Sequence, residues 1–278
     1  MKKLVVLLIL IMPATRAFED FKPNCEAYRY MGDACYNACL QSNNAIRYPQ
    51  GSRKSQEYFD KAIDLCPDFA YAWHEKAVPY LKRGSFIAWK EMMDKAVNLE
   101  EEQRLGYRGW CRYQFLRDYE GAIKDIERLE ELMKGHDIGY AQNGDCHLLV
   151  AKALCYKGLG QSSKAIEVLE AFVSEPDFFA MPYDFLHLAV MYLEAGRLQE
   201  AEQALAEQIQ VNPNLADNYY YLAKTKLAQG QKDAAKAQFD QCLSLYEQGL
   251  YRKDVYTTPM DAVSKADLAN LKAELGLS

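Results

Sequence analysis

"GQSSKAIEVLEAFVSEPD", residues 160–177, reads as an amphipathic helix that follows a glycine and stops at a proline. The chain nearly repeats it: "GRLQEAEQALAEQIQVNPN" begins at Gly196 and "GQKDAAKAQFDQCLSLYEQ" begins at Gly230. Ala201 and Ala235 hold the same place in their copies, 34 residues apart. Ala165 precedes Ala201 by 36 residues, and Trp89 precedes Ala122 by 33. The step from Ala122 to Ala165 is 43, longer than the others. A period near 34 with two helices per unit means helical hairpins that stack on one another.

Each unit carries the same residue types. Phe185, Leu188, Ala189 and Tyr192 fill a first helix, and Ala201, Leu205 and Pro213 its second. The next unit has Tyr219, Leu222 and Ala223, then Ala235 and Phe239. The unit before has Leu149, Ala153, Tyr156, Ala165 and Leu169. Earlier come Trp73, Ala77, Tyr80, Met93 and Ala96, and "RYQFLRDYEGAIKDIERL" supplies Tyr113, Tyr119, Ala122 and Ile126. Small residues such as Ala189 and Ala223 let paired helices approach closely, with Tyr192 or Phe239 filling the space beside them. Gly160, Gly196 and Gly230 suit the left-handed residue that ends a first helix. Pro67, Pro176 and Pro213 stop the second.

Over roughly residues 52–249 the chain resembles the tetratricopeptide repeat family. The resemblance implies an all-α fold, a solenoid of helical hairpins winding into a right-handed superhelix. Three places depart from the pattern. The unit around Trp110 is one residue out of register between Gly109 and Tyr119. "GHDIGYAQNGD" (135–145) and "DFFAMP" (177–182) read as loops inserted between units. The unit over 24–66 has a regular second helix, "SQEYFDKAIDLCP", but an irregular first. The expected organisation is a signal peptide over 1–17, an irregular helical unit over 18–69, the repeat array over 70–249 and a capping segment over 250–278. Within the last, "MDAVSKADLANLKAELG" supplies a terminal helix that covers the final apolar face.

Export is expected from the first residues. Lys2 and Lys3 precede the apolar run Leu4–Met12, and Thr15 and Ala17 are spaced for cleavage after Ala17. Nine apolar residues fall short of the about 20 that a membrane span needs, so no transmembrane segment is expected in the mature chain. Cleavage removes Lys2, Lys3 and Arg16 and no acid, taking the net charge from −6 to −9. Such a surface repels phosphate backbones, which argues against nucleic acid as a partner. A periplasmic or secreted location follows.

Eight cysteines in an exported chain point to local disulfides. Cys35 and Cys39, four apart in "DACYNACL", share a helix face but would strain a regular helix if joined to each other. Bridges to Cys25 or Cys66 are expected instead, with Cys242 in the core. No metal-ligand spacing, nucleophile elbow, zinc-protease motif or phosphate loop is present, so catalytic residues, metal and cofactor are all expected to be none. The acidic runs "EEEQR" (100–104) and "ERLEEL" (127–132) read as solvated helix faces.

In the family resembled, first helices line a concave groove. Mapped onto this chain, that face takes Tyr71 and His74; Arg104, Tyr107 and Arg108; His147; Tyr183 and His187; Tyr220 and Lys224. Within an acidic protein this set is basic and aromatic, the residue types that most often anchor partners. The lysines and asparagines of the family's carboxylate clamp are not matched. The function expected is therefore that of a non-enzymatic scaffold, binding a protein or an acidic peptide segment in its groove. The alternative is an enzyme or a cofactor- or metal-binding protein that uses the inserted loops and cysteines.

Overall fold

The computed structural model describes residues 22–277, so the leader expected over residues 1–17 lies outside the described residues. The described chain is all-α, with thirteen α-helices and a single isolated bridge between Tyr140 and His147. It divides into two compact units, one ending at Leu99 and the other beginning at Glu100.

The first unit opens with a 3-10 turn, Cys25–Met31, followed by α1 (Asp33–Ala45), α2 (Arg53–Leu65), α3 (Ala70–Lys82) and α4 (Phe86–Leu99). Helices α1 and α2 form one hairpin, α3 and α4 the next. Phe59 and Ala62, three apart on α2, are buried with Ala38, Phe69 and Ala72 in one core. Ser52 starts α2 by accepting the Ser55 N–H on its hydroxyl. Two disulfides strap the entrance of this unit, Cys25–Cys39 and Cys35–Cys66. The two cysteines of "DACYNACL" thus bond in opposite directions, one back to the 3-10 turn and one across to the end of α2. The link between α1 and α2 contains Gly51 at φ +73°, where a Cβ would sit 2.5 Å from Pro79 Cβ.

The second unit contains four hairpins. They are α5 (Glu101–Cys111) with α6 (Tyr119–Met133), α7 (Leu148–Gly158) with α8 (Ser162–Val173), α9 (Asp184–Glu194) with α10 (Leu198–Val211), and α11 (Ala216–Ala228) with α12 (Lys232–Glu247). Successive hairpins pack α6 on α7, α8 on α9 and α10 on α11. Ala153, Ala189 and Ala223 are fully buried on the first helices, as are Ala165, Ala201 and Ala235 on the second. Gly160, Gly196 and Gly230 each turn the chain between partners at φ +73° to +77°.

The out-of-register unit has a physical explanation. A π-helical turn, Arg112–Leu116, continues α5 and takes up the extra residue. Arg117, at φ +55°, then stands where the other hairpins have glycine. Gly109 is the small residue at the helix crossing: a Cβ there would lie 3.1 Å from Ile126 and 3.2 Å from Asp125 of α6.

After α12 the chain leaves helix until α13 (Lys265–Glu274), which begins in a capping box between Ser264 and Asp267. Leu268, Leu271 and Leu275 join Ala223, Phe239 and Cys242 in one core cluster, so α13 covers the apolar face of the last hairpin.

Candidate functional site

Between Gly249 and α13, residues 250–263 form a non-helical loop that lies over the first helices of the second unit. Asp217, at the start of α11, pins both ends. Its carboxylate accepts the Arg252 N–H at 2.9 Å and the Val263 N–H at 2.8 Å. From there the loop reaches the π turn, where Gln114 Nε2 donates to Thr257 Oγ1 at 2.7 Å and Arg117 donates to the Thr258 carbonyl. It then returns to α7 and α9. Asp261 accepts Lys157 Nζ at 2.6 Å and His187 Nδ1 at 2.7 Å, while Tyr221 donates to its carbonyl.

His187 is the hinge of this network. It is fully buried, and its Nε2 lies 2.7 Å from Arg252 Nη1. A guanidinium has only donors, so Nε2 accepts and the proton sits on Nδ1, facing Asp261. Burial first, then the Arg252 charge, push the imidazole down to about 4. Burial works against the Asp261 carboxylate, but the His187 hydrogen bond and the Lys157 charge outweigh it and hold it down at about 2. Arg252 also covers the Tyr183 ring, its guanidinium 4.3 Å from the centroid. Nearby on α9, Asp184 receives only the Met181 N–H, and burial raises it to about 6.

The inserted loops build a separate pocket. A cavity of about 410 Å³ is lined by Asp137, Tyr140, His147, Phe172, Phe178 and Glu175, among others. His147 caps α7: its Nδ1 accepts the Leu149 N–H, its Nε2 donates to Asp137, and its ring stacks on Phe172 at 4.5 Å.

Models of the tetratricopeptide repeat match residues 147–175 and 217–248, which are the α7/α8 and α11/α12 hairpins. Among solved structures the chain is similar to PilW, a widely conserved type IV pilus biogenesis factor. The TM-score is 0.60 at 19% identity, over 76% of this chain and 94% of that one. Pseudomonas aeruginosa PilF gives a TM-score of 0.60 at 15% identity, over 91% of this chain and 100% of that one. Yeast Tom70 gives 0.52 at 14%, over 94% of this chain and 48% of that one. At such identities the likeness to these structures is one of fold. The chain contains tetratricopeptide repeats.

The first-helix residues of this repeat-containing chain fall into distinct settings. Tyr71, half-buried on α3, lines a cavity of about 630 Å³ in the first unit with Glu75, Tyr48 and Phe59, whereas His74 is buried. Arg104 pairs with Glu100 one turn back at 3.0 Å. Tyr107 leans on Trp110, ring centroids 5.9 Å apart. Arg108 makes a bidentate pair with Asp125 of α6, at 2.8 and 2.7 Å, and thereby ties the hairpin together. His147 faces the inserted loops, Tyr183 and His187 hold the C-terminal loop, and Tyr220 is buried in the cluster that α13 covers. Lys224 lines a small cavity with Tyr221 and Glu194. The structure therefore brings Tyr183 and His187 together around Arg252 and distributes the rest over several surfaces.

Sequence reading missed Lys157, Asp217, Arg252 and Asp261. One signal was available: Tyr221 stands one repeat after His187, and both touch Asp261. For the loop residues no periodic signal exists, because their partners lie up to 143 residues away.

The cysteines outside the disulfides, Cys111, Cys146, Cys155 and Cys242, are buried. Burial raises all four thiols, Cys146 and Cys242 to about 12, so none of them is a thiolate at neutral pH.

Proposed function

We propose that this repeat-containing chain is a non-enzymatic scaffold that acts after export and binds a protein or peptide segment on the face of its first helices. One observation carries the reading. Residues 250–263, a stretch of polypeptide without helix, already lie on that face and are held there by side chains of α7, α9 and α11. The face therefore has the donors and acceptors that recognition of a non-helical segment requires. Lys157 and Arg117 bond acceptors on the loop, which favours a net-acidic or carboxylate-bearing partner and binding that weakens with salt. Action after export is supported by the two disulfides, which persist in oxidising compartments.

The test is affinity capture from an extracytoplasmic extract, followed by measured binding to variants. Lys224→Ala, on the first helix α11, is expected to weaken binding of the captured partner by roughly tenfold, as anchor residues do. Lys124→Ala, on the exposed side of the second helix α6, is expected to leave binding unchanged. Equal affinity for all variants would remove the first helices from consideration.

A further inference from the structure

The C-terminal loop is attached in an unusual way. Between Lys253 and Met260 the only buried residue is Pro259, while Val255 is 89% and Tyr256 54% exposed. Val263 at its end is buried in the core of the last hairpin, but from Lys253 to Ala262 the loop is held mainly by hydrogen bonds and ion pairs, with Pro259 and a ring contact of Tyr256 on Phe115 as its apolar anchors. Its contacts are also imperfect. Arg252 Nε and Asp184 Oδ1 are buried without a hydrogen-bond partner. Asp261 sits at φ +64°, a left-handed conformation that is strained for a non-glycine residue. At the same time both flanks are fixed independently. Gly249 ends α12 at φ +79°, and α13 is held by Leu268, Leu271 and Leu275 in the core of the last hairpin. A segment of this kind opens locally while its surroundings stay folded.

We infer that residues 253–262 are a displaceable occupant of the first-helix face, and that the partner segment brings a carboxylate to the place Asp261 holds between Lys157 and His187. This rests on the proposed role as a segment-binding scaffold and adds the partner's chemistry. Charge complementarity fixes that chemistry. When the loop leaves, the Lys157 ammonium loses Asp261 and keeps only Glu194, at 3.0 Å, while the His187 Nδ1–H loses its acceptor. With the face covered His187 is fully buried and the Lys157 side chain only 12% exposed, so a segment that takes the loop's place and leaves these donors unmatched is disfavoured. A segment with an aspartate or glutamate matches both. A neutral segment offers His187 an acceptor but no counter-charge to Lys157, and a basic segment repels Lys157.

The experiment replaces the loop's carboxylate in trans. The probe is a labelled synthetic peptide of residues 257–263, "TTPMDAV", added to the full chain as wild type and as Asp261→Ala. The variant is expected to bind the peptide saturably and roughly tenfold tighter than wild type, whose own loop competes. A peptide with Asn in place of Asp is expected to lose that binding. Equal binding of both peptides, or of neither, by a variant with wild-type circular dichroism overturns the inference. Should Asp261→Ala not fold, hydrogen exchange on the wild-type chain decides. Amides of 253–262 are expected to exchange through a lower-energy opening than those of α13, and equal protection overturns the inference. The peptide result does not depend on any captured partner. A partner that binds elsewhere and does not compete with the peptide therefore sinks the scaffold reading at this face separately.

Discussion

His187 Nε2 accepts a hydrogen bond from Arg252 Nη1 at 2.7 Å, a contact that only a neutral imidazole can make. Its value in the folded chain is pushed from 6.5 to about 4, by burial first and by Arg252 second. As pH falls, the unfolded chain takes up this proton before the folded chain does. The stability contributed by His187 is therefore complete above about 6.5 and lost as pH falls toward about 4. Asp184, raised to about 6 by burial, works in the opposite direction over the overlapping window. Asp217 is also raised, Asp261 is lowered, and Lys157 stands across the Asp261 carboxylate. The clean observable is thus the difference in unfolding free energy between wild type and His187→Gln. That difference is expected to shrink between about pH 7 and about pH 4. A difference independent of pH would show that folding does not depress His187.

Asp217 joins the two ends of the C-terminal loop through the N–H groups of Arg252 and Val263. Asp217→Ala leaves both amides without their acceptor and is expected to destabilise the chain by about 2–3 kcal/mol in denaturant titration. Asp217→Asn keeps one acceptor and is expected to lose less. If alanine and asparagine behave alike, the carboxylate does not hold both ends.

Arg104 and Arg108 are predicted to separate in their effects, although both are first-helix arginines. Arg108 pairs with Asp125, whose side chain is 4% exposed and also meets Arg112 at 3.1 Å. Arg108→Ala is expected to cost about 3 kcal/mol of stability, since it strips one cation from a buried carboxylate. Arg104→Ala breaks an i,i+4 pair with Glu100 and is expected to cost less than about 1 kcal/mol. Comparable melting temperatures for the two variants would contradict this division.

Thiol counting checks the cysteine arrangement. Without reductant, the native chain is expected to resist alkylation at Cys111, Cys146, Cys155 and Cys242, all buried. Denatured without reductant it should take up label at those four, and with reductant at all eight cysteines. The bridges close segments of 14 and 31 residues, so removing either is expected to cost about 3–4 kcal/mol in the chain-entropy picture. Full labelling of the native chain would refute the burial of these thiols.

The hairpin array was legible in the sequence because its cause is local and repeated. An alanine at each crossing, an aromatic beside it and a glycine at each turn follow from the need to bring two helices close and reverse the chain. That need recurs every 34 residues or so. Even the register fault between Gly109 and Tyr119 was visible, and a π turn resolves it. The pairing of Cys25 with Cys39 and of Cys35 with Cys66 was narrowed by helix geometry and decided by the fold. The roles of the first-helix residues were not legible. Whether Arg108 faces a partner or Asp125, and whether His187 faces solvent or Arg252, depends on which side chains arrive from 17 and 65 residues away. Periodicity specifies which face a residue occupies. What covers that face is set by a loop with no period of its own, and only tertiary structure could place it.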